Sequence, residues 1–235
     1  MDAWDAAGIR ALADALDAVL AFRHDRLENA TDIIGEVAAL MEAAGRGDPR
    51  QLMSSPSTIH VSAVDETGLT CSITSSAGYG SGAMIPGTGI MLNNSLGEVE
   101  LHPAGLHAFD PGTRLPSNMA PTVAYNGDEV LAVGSPGADR ITSAVVQTVF
   151  NYLRLGMPLE MAVSHPRLHV ETFEGKRTLA HEPGVDVSAV DHLAHRPFSA
   201  LSMYFGGVQA AARETGGNLV ASADSRRTGG TAYGG

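Results

Sequence analysis

Hydrophobic and polar positions divide the chain into a helical opening and a longer part that begins with strands. Over residues 4–27 the apolar side chains recur every three or four positions, which predicts an amphipathic helix. A second helix is predicted over residues 33–44, because Thr31 and Asp32 can cap its start and a glycine follows its end. The polar segment at residues 45–57 is rich in turn-forming residues and therefore marks the boundary between the two parts.

From Thr58 onward the pattern changes from the period of a helix to that of a strand. Residues 59–64 and 69–74 both alternate between apolar and polar side chains, and the turn-forming run DETG separates them. This pattern is typical of a β-hairpin. A third strand is predicted over residues 129–133, and a Gly/Pro turn leads from it into an amphipathic helix over residues 141–155.

The rest of the chain predicts a short helix and further strands. The helix begins at Pro158, because proline is tolerated in the first turn. The strands are expected at residues 167–170, 176–180, 203–211 and 218–222. This order of helices and strands indicates an α+β domain whose sheets are covered by helices.

Composition and charge narrow the class of function. The chain has 235 residues, of which 44% are hydrophobic and 17% charged, so it can bury a sizeable core. Its net charge of −11 argues against a nucleic-acid partner, because phosphate binding needs clustered basic side chains. No apolar run reaches about 18 residues, and the acidic N-terminus lacks the basic region of a signal peptide. We therefore expect no membrane span and a cytoplasmic location.

The sequence indicates neither a metal site nor a cofactor. The single cysteine, Cys71, cannot form a disulfide framework or a thiolate zinc site. The nine histidines are scattered, and none forms the paired arrangement of a zinc protease helix. The run GSGAMIPGTG is rich in glycine but lacks the Lys-Ser or Lys-Thr of a phosphate-binding loop.

Four stretches of the chain together carry a family resemblance. They are STIHVSAVD at the first strand, YGSGAMIPGTGIMLNN after the hairpin, RLPSNMAPT, and VGSPGADRI before the long helix. In this order they resemble the small C-terminal subunit of the γ-glutamyltranspeptidases, which are N-terminal-nucleophile hydrolases. The resemblance begins near Ser57 and reaches the closing segment SADSRR. It implies a four-layer αββα sandwich.

The resemblance offers a chemical reason why the first strand begins abruptly at Thr58. In the family an inactive precursor cuts its own backbone before a threonine, which here is Thr58. The new chain end then carries a hydroxyl nucleophile and an α-amine base on one residue. A free α-amine has a pKa of about 7.7–8.0, so it is partly neutral near physiological pH. The alternative is an ordinary junction between a loop and a strand, since threonine favours strands.

Further site residues follow from matching positions in the family. Gly137 and Ala138 stand where two backbone N–H groups form an oxyanion hole, usually from two glycines. Ser117 and Asn118 stand at a serine pair that helps to hold the substrate α-carboxylate, and Glu98 stands at the acidic residue for the α-amine. A plain glycine turn before a helix and a solvated loop acid are the structural alternatives.

The chain also departs from the family pattern. Ile59 replaces a second threonine that many members carry after the nucleophile. The run TSSAG is shorter than its counterpart, so Ser75 or Ser76 is left to support Thr58 and no asparagine follows to contact the substrate.

In the family, a large subunit precedes the nucleophile in the chain, and it contributes strands and an arginine that binds the substrate carboxylate. Only residues 1–57 precede Thr58 here. We expect residues 1–57 to be a helical remnant of a large subunit or propeptide and residues 58–235 to be the small-subunit-like catalytic domain. The sandwich is then only partly complete. Either a separate large-subunit-like chain covers its exposed strands, or the chain is a truncated product that is poorly stable or inactive.

The resemblance implies an amide hydrolase or acyltransferase that is autoprocessed before Thr58. Its substrates would be γ-glutamyl compounds such as glutathione, with an amino acid or water as acceptor. One alternative is an inactive family member that serves as a subunit or binding partner. Another is a related acylase with a substrate that is not a γ-glutamyl compound.

Overall fold

A computed structural model of the chain describes residues 4–22, 25, 58–78, 80–97, 108–115 and 117–234. Its strands are β1 (Thr58–Val64), β2 (Thr70–Ser76), β3 (Thr122–Asn126), β4 (Glu129–Gly134), β5 (Leu168–Phe173), β6 (Lys176–His181), β7 (Ala194–Pro197), β8 (Gln209–Arg213) and β9 (Leu219–Ala223). Its helices are α1 (Ala6–Phe22), α2 (Arg140–Val149), which continues as a π-helical turn over Phe150–Arg154, and α3 (Leu159–Ser164). Short 3-10 turns lie at Ser95–Gly97 and Met203–Phe205.

The described strands form three sheets. Strands β1 and β2 form an antiparallel hairpin, and an antiparallel sheet has the order β3-β4-β8-β9. Strands β5, β6 and β7 form the third sheet, in which β6 and β7 are parallel. The predicted hairpin is confirmed. The Asp65 carboxylate holds its turn, because it accepts the backbone N–H groups of Thr67 at 2.8 Å and of Leu69 at 2.9 Å.

The hairpin packs against one face of the four-stranded sheet, and helices cover the other face. Strand β1 lies against β4 and β8, and β2 lies against β4. Helices α2 and α3 bury apolar side chains against the sheet, in a core that includes Leu131, Val133, Ile141, Val163 and Val208. Hairpin, sheet and helices thus supply three successive layers of the predicted αββα sandwich.

The outward face of the hairpin has no covering layer among the described residues. Alternation along β1 turns Thr58 and His60 inward and leaves Ile59 68% exposed. Val61 is also exposed, and its direct partner across the hairpin, Ile73, is 56% exposed. These side chains form an apolar sheet face of the kind that another layer normally covers. The prediction of a partly complete sandwich agrees with this face.

A second core joins the N-terminal helix to the third sheet. Apolar side chains of α1 pack against β5, β6 and the segment between β6 and β7; they include Ile9, Leu12, Leu168, Leu179 and Val190. The Gln147 side chain ties α2 to the same sheet, since its amide nitrogen donates to the Leu168 carbonyl at 2.9 Å and its oxygen accepts the Leu168 N–H at 3.1 Å. None of the described helices is both long enough and apolar enough to cross a bilayer.

Several predicted boundaries need correction. The first helix is confirmed over Ala6–Phe22, and the helix over residues 33–44 lies outside the described residues. The strand predicted at 203–211 is wrong in its first half, because a 3-10 turn comes first and Gly206 then takes φ 88°. Strands β3 and β7 were not predicted.

Candidate active site

A cavity of about 640 Å³ opens at the beginning of β1. Thr58 lies in its wall and is 7% exposed. The remaining wall comes from the loop after β4, the 3-10 turn, the start of β8 and the segment after β9. Its residues are Ile59, His60, Pro136, Met203, Gln209 and residues 225–230. The cavity therefore brings the predicted nucleophile together with parts of the chain that are distant in sequence.

Ser76 lies directly opposite Thr58 in the register of the hairpin. Paired residues of an antiparallel ladder project to the same side of the sheet, so the Ser76 side chain lies on the face that carries Thr58. The Ser76 hydroxyl accepts the backbone N–H of Gly78 at 3.0 Å. Ser75 pairs instead with Ile59 and is exposed. Of the two serines that the sequence left open, the register favours Ser76.

His60 fills the space between the hairpin and the four-stranded sheet. One ring nitrogen, Nδ1, lies 2.8 Å from the Thr74 hydroxyl, and the other, Nε2, lies 2.8 Å from the Ser62 hydroxyl. Burial lowers the pKa of His60 to about 4, so the ring is neutral near pH 7. The ring lies against the backbone of Gly134, where an added Cβ would come within 2.2 Å of it. This glycine lets the two layers approach each other beside the cavity.

The turn that follows β4 has an unusual backbone at both predicted oxyanion-hole positions. Gly137 has φ 140° and Ala138 has φ 58°. A Cβ on Gly137 would lie 2.6 Å from the Cα of Gly206, so only glycine fits there. The Ser135 hydroxyl fixes this contact from below, because it accepts the backbone N–H of Gly207 at 3.0 Å.

The backbone N–H groups of Gly137 and Ala138 have no hydrogen-bond acceptor within the described part of the chain. Their carbonyl groups are occupied, since they accept the N–H groups of Arg140 at 3.0 Å and Ile141 at 3.2 Å. The residue before them, Pro136, lies in the cavity wall, whereas Gly137 and Ala138 are buried in the turn. Unused donors at the start of a helix can stabilise a developing negative charge.

The predicted carboxylate-binding residues lie elsewhere. Ser117 is exposed, and its hydroxyl accepts the Met119 N–H at 3.2 Å. Asn118 is buried, and its side-chain nitrogen lacks a hydrogen-bond partner among the described residues. Neither belongs to the described wall of the Thr58 cavity. Glu98 lies outside the described residues.

Four buried charged side chains hold the segment at residues 225–230, which closes the cavity. Asp224 pairs with Arg167 at 2.7 Å and with Arg226 at 3.1 Å. The Arg226 side chain also binds Glu182, with its Nε 2.8 Å from the Glu182 Oε1. Burial would raise the pKa of Asp224, but Arg167 and Arg226 together hold it below its usual value. The carboxylate therefore stays charged and anchors the closing segment.

Arg227 follows this network and reaches the cavity. Its backbone N–H donates to the Asp224 carbonyl at 3.2 Å, and its aliphatic stem lies over the backbone of Gly207. The family resemblance includes the segment SADSRR but implies no role for this arginine or for Gln209. Both reach the cavity through the order of the strands, which one sequence does not reveal.

The chain is similar to known proteins in both sequence and structure. A family model described as gamma-glutamyltranspeptidase matches residues 20–234. The chain is 32% identical over 176 residues to the glutathione hydrolase proenzyme of Bacillus subtilis, an alignment that covers 73% of this chain and 30% of that protein. A solved chain of the Pseudomonas nitroreducens gamma-glutamyltranspeptidase has 24% identity and a TM-score of 0.60, with 75% of this chain and 99% of that chain covered. A threonine-to-alanine mutant of the Helicobacter pylori enzyme has 29% identity and a TM-score of 0.58, with coverage of 72% and 99%.

A layered α+β architecture with these structural neighbours is the fold of the N-terminal-nucleophile hydrolases. The chain belongs to the gamma-glutamyltranspeptidase family. It spans about 30% of the length of the Bacillus subtilis relative that it matches.

Proposed function

We propose that this chain carries the acyl-transfer site of a γ-glutamyl amide hydrolase or transpeptidase, with Thr58 as nucleophile. The observation that carries the proposal is the position of Thr58, which begins β1 and lies in the wall of the 640 Å³ cavity. Membership of the family and the name of the Bacillus subtilis relative, a glutathione hydrolase proenzyme, support this reaction class.

In the proposed maturation, Thr58 Oγ attacks the carbonyl carbon of Ser57. The peptide bond breaks as the acyl group moves from nitrogen to oxygen and the hydroxyl proton passes to the released nitrogen. Water then hydrolyses the ester. The products are a carboxylate on Ser57 and a free hydroxyl and α-amine on Thr58. Once the chain is cut, the α-amine serves as the base for the reaction with substrate, so that reaction needs no other side chain in this role. The pKa of about 4 at the neighbouring His60 agrees with this, because it makes the ring a weak base.

In the proposed reaction, the Thr58 hydroxyl attacks the amide carbonyl of the substrate and its proton passes to the α-amine. The negative charge on the carbonyl oxygen is stabilised by the N–H groups of Gly137 and Ala138, whose unused hydrogen-bonding capacity supports this role. The α-ammonium group protonates the leaving amine. An ester on Thr58 remains, and water or an amino acid removes the acyl group from it.

The test of the nucleophile is an intact mass measurement on purified chain during prolonged incubation. We expect the wild-type chain to divide between Ser57 and Thr58, and Thr58→Ser, which keeps a hydroxyl, to divide as well. Thr58→Ala should stay whole. If the wild-type chain remains a single uncut species, the proposal of a self-activated nucleophile is wrong. Release of a chromophoric amine from γ-glutamyl and from other acyl anilides then separates the γ-glutamyl hydrolase from an acylase with a different substrate.

A second candidate function is that of a non-catalytic subunit, and the exposed apolar face of the hairpin favours it. A face that presents Ile59, Val61 and Ile73 to solvent fits a partner with a complementary apolar layer. Sedimentation of the chain with and without a large-subunit-like chain tests this candidate. Ile73→Lys should abolish the complex, and Tyr125→Lys, at an exposed position of another sheet, should leave it intact.

A further inference from the structure

The Arg227 guanidinium has an unsatisfied donor in a partly buried position. Its Nε is buried and has no hydrogen-bond partner, and no carboxylate lies within salt-bridge distance of the group in the described part of the chain. The two neighbouring arginines differ in this respect. Arg226 is paired with Asp224, and Arg140 forms an ion pair with Asp139.

The position of Arg227 is fixed by its surroundings. The network around Asp224 holds the backbone on one side, and the stem packs on Gly207, where an added Cβ would come within 2.6 Å of the Arg227 Cγ and Cδ. Burial and the nearby charge of Arg140 both lower the pKa of Arg227. Two charged groups therefore act on the Arg227 guanidinium. One is a second cation, Arg140, and the other is the Asp224 carboxylate, which is already paired with Arg167 and Arg226.

From this geometry we infer that Arg227 is a binding site for a carboxylate in the Thr58 cavity. The inference rests on the proposed function, because Thr58 and Arg227 line the same cavity and the molecule bound by one must fit beside the other. The terminal N–H groups of Arg227 also lack an acceptor within the described part of the chain, so a carboxylate in the cavity would accept from them and neutralise a half-buried charge. A guanidinium suits this ligand, since its donors match the two oxygens of a carboxylate.

The carboxylate has two sources in the proposed reaction. It belongs either to the acyl donor, as the α-carboxylate of a glutamyl group, or to the acceptor amino acid. L-glutamate and its α-carboxamide serve as probes for the donor, and glycine and glycinamide serve for the acceptor. Calorimetry on the purified chain gives the Kd of each probe for the wild type and for the variants Arg227→Gln and Arg227→Lys.

We expect Arg227 to bind one of the two carboxylate probes, L-glutamate or glycine. Arg227→Gln should raise the Kd of that probe at least tenfold, because charge-assisted hydrogen bonds contribute about 1.5–3 kcal/mol. Arg227→Lys should retain part of the affinity. The Kd of the matching carboxamide should stay the same in all three proteins. Arg154→Gln, at an exposed position on another element, makes the same change of net charge and should bind as the wild type does.

Gly207→Ala provides a variant that keeps the guanidinium and displaces its stem. We expect it to weaken binding of the same carboxylate, with thermal melting as the check on folding. The inference is overturned if the wild type binds neither carboxylate, or if Arg227→Gln changes neither Kd. Binding is measured without turnover. If the chain binds a carboxylate through Arg227 but stays uncut, the inference about Arg227 holds and the proposal of Thr58 as nucleophile is wrong.

Discussion

Thr58 and Ser76 are direct partners across the β1–β2 hairpin, and both lie on the side of the hairpin that faces the four-stranded sheet. This pairing depends on the register set by the Asp65 turn. A shift by one residue would place Ser75 on that side instead, because side chains alternate along a strand. The turn of the hairpin is therefore part of what positions the candidate site.

The first prediction concerns Ser76 as a proposed support for the proposed nucleophile Thr58. Ser76→Ala should slow cleavage before Thr58 and the later hydrolysis by roughly 2- to 15-fold, which is the effect of losing one ordinary hydrogen bond. The time course of intact mass measures the cleavage. Ser75→Ala removes the hydroxyl next to it on the exposed face and serves as the matched control. Equal rates in the two variants would assign Ser76 a structural role only, through its bond to the Gly78 N–H.

The second prediction contrasts the two residues of the turn after β4. Ala138→Gly should raise the free energy of unfolding by about 0.5 kcal/mol, because relief from a left-handed backbone exceeds the entropy cost of glycine. Gly137→Ala should lower it by about 1–3 kcal/mol, since its Cβ would collide with Gly206. Urea unfolding of both variants measures the difference. Changes of the same sign would contradict the described turn.

The third prediction concerns the pH dependence of stability. The pKa of His60 is about 4 in the folded chain and 6.5 when unperturbed, so the unfolded chain takes up the proton first as the pH falls. His60 should therefore destabilise the fold progressively between about pH 6.5 and pH 4. Urea midpoints of the wild type and of His60→Gln across this range measure its share. The two curves should converge at low pH, and curves that stay parallel would argue against a buried neutral ring.

The fourth prediction concerns the buried charge network. Arg226→Leu leaves the carboxylates of Glu182 and Asp224 short of a partner and should lower the free energy of unfolding by about 3–5 kcal/mol. The control is Asp191→Asn, which removes one of two exposed partners of Arg10 and should change the stability little. Chemical denaturation of both variants gives the comparison. A small loss in Arg226→Leu would mean that the closing segment is held by other contacts.

The parts of the fold that depend on local alternation were predictable from the sequence. The hairpin follows from the period-two pattern and the DETG turn, and α1 and α2 follow from apolar stripes. Strand β3 was not predicted because it follows directly on a Pro/Gly-rich stretch. Strand β7 has four residues, ends in a proline and lies at the edge of its sheet, so it carries little sequence signal.

The candidate site was predictable only where a motif carries it. Thr58, Gly137 and Ala138 came from resemblance, and the structure describes the cavity and the backbone around them. The choice between Ser75 and Ser76 needed the register of the hairpin. Arg227 needed the strand order, because β8 joins β4 and draws the end of the chain toward the start of β1.

The segment at residues 225–230 supplies a wall of the cavity and comes after every strand of the described fold. During translation Thr58 leaves the ribosome long before this wall exists. The Thr58 hydroxyl of a nascent chain therefore lies on an incomplete surface, and any chemistry that needs the whole cavity can begin only after residue 230 has emerged. If Thr58 acts as proposed, self-cleavage therefore follows the synthesis and folding of the whole domain.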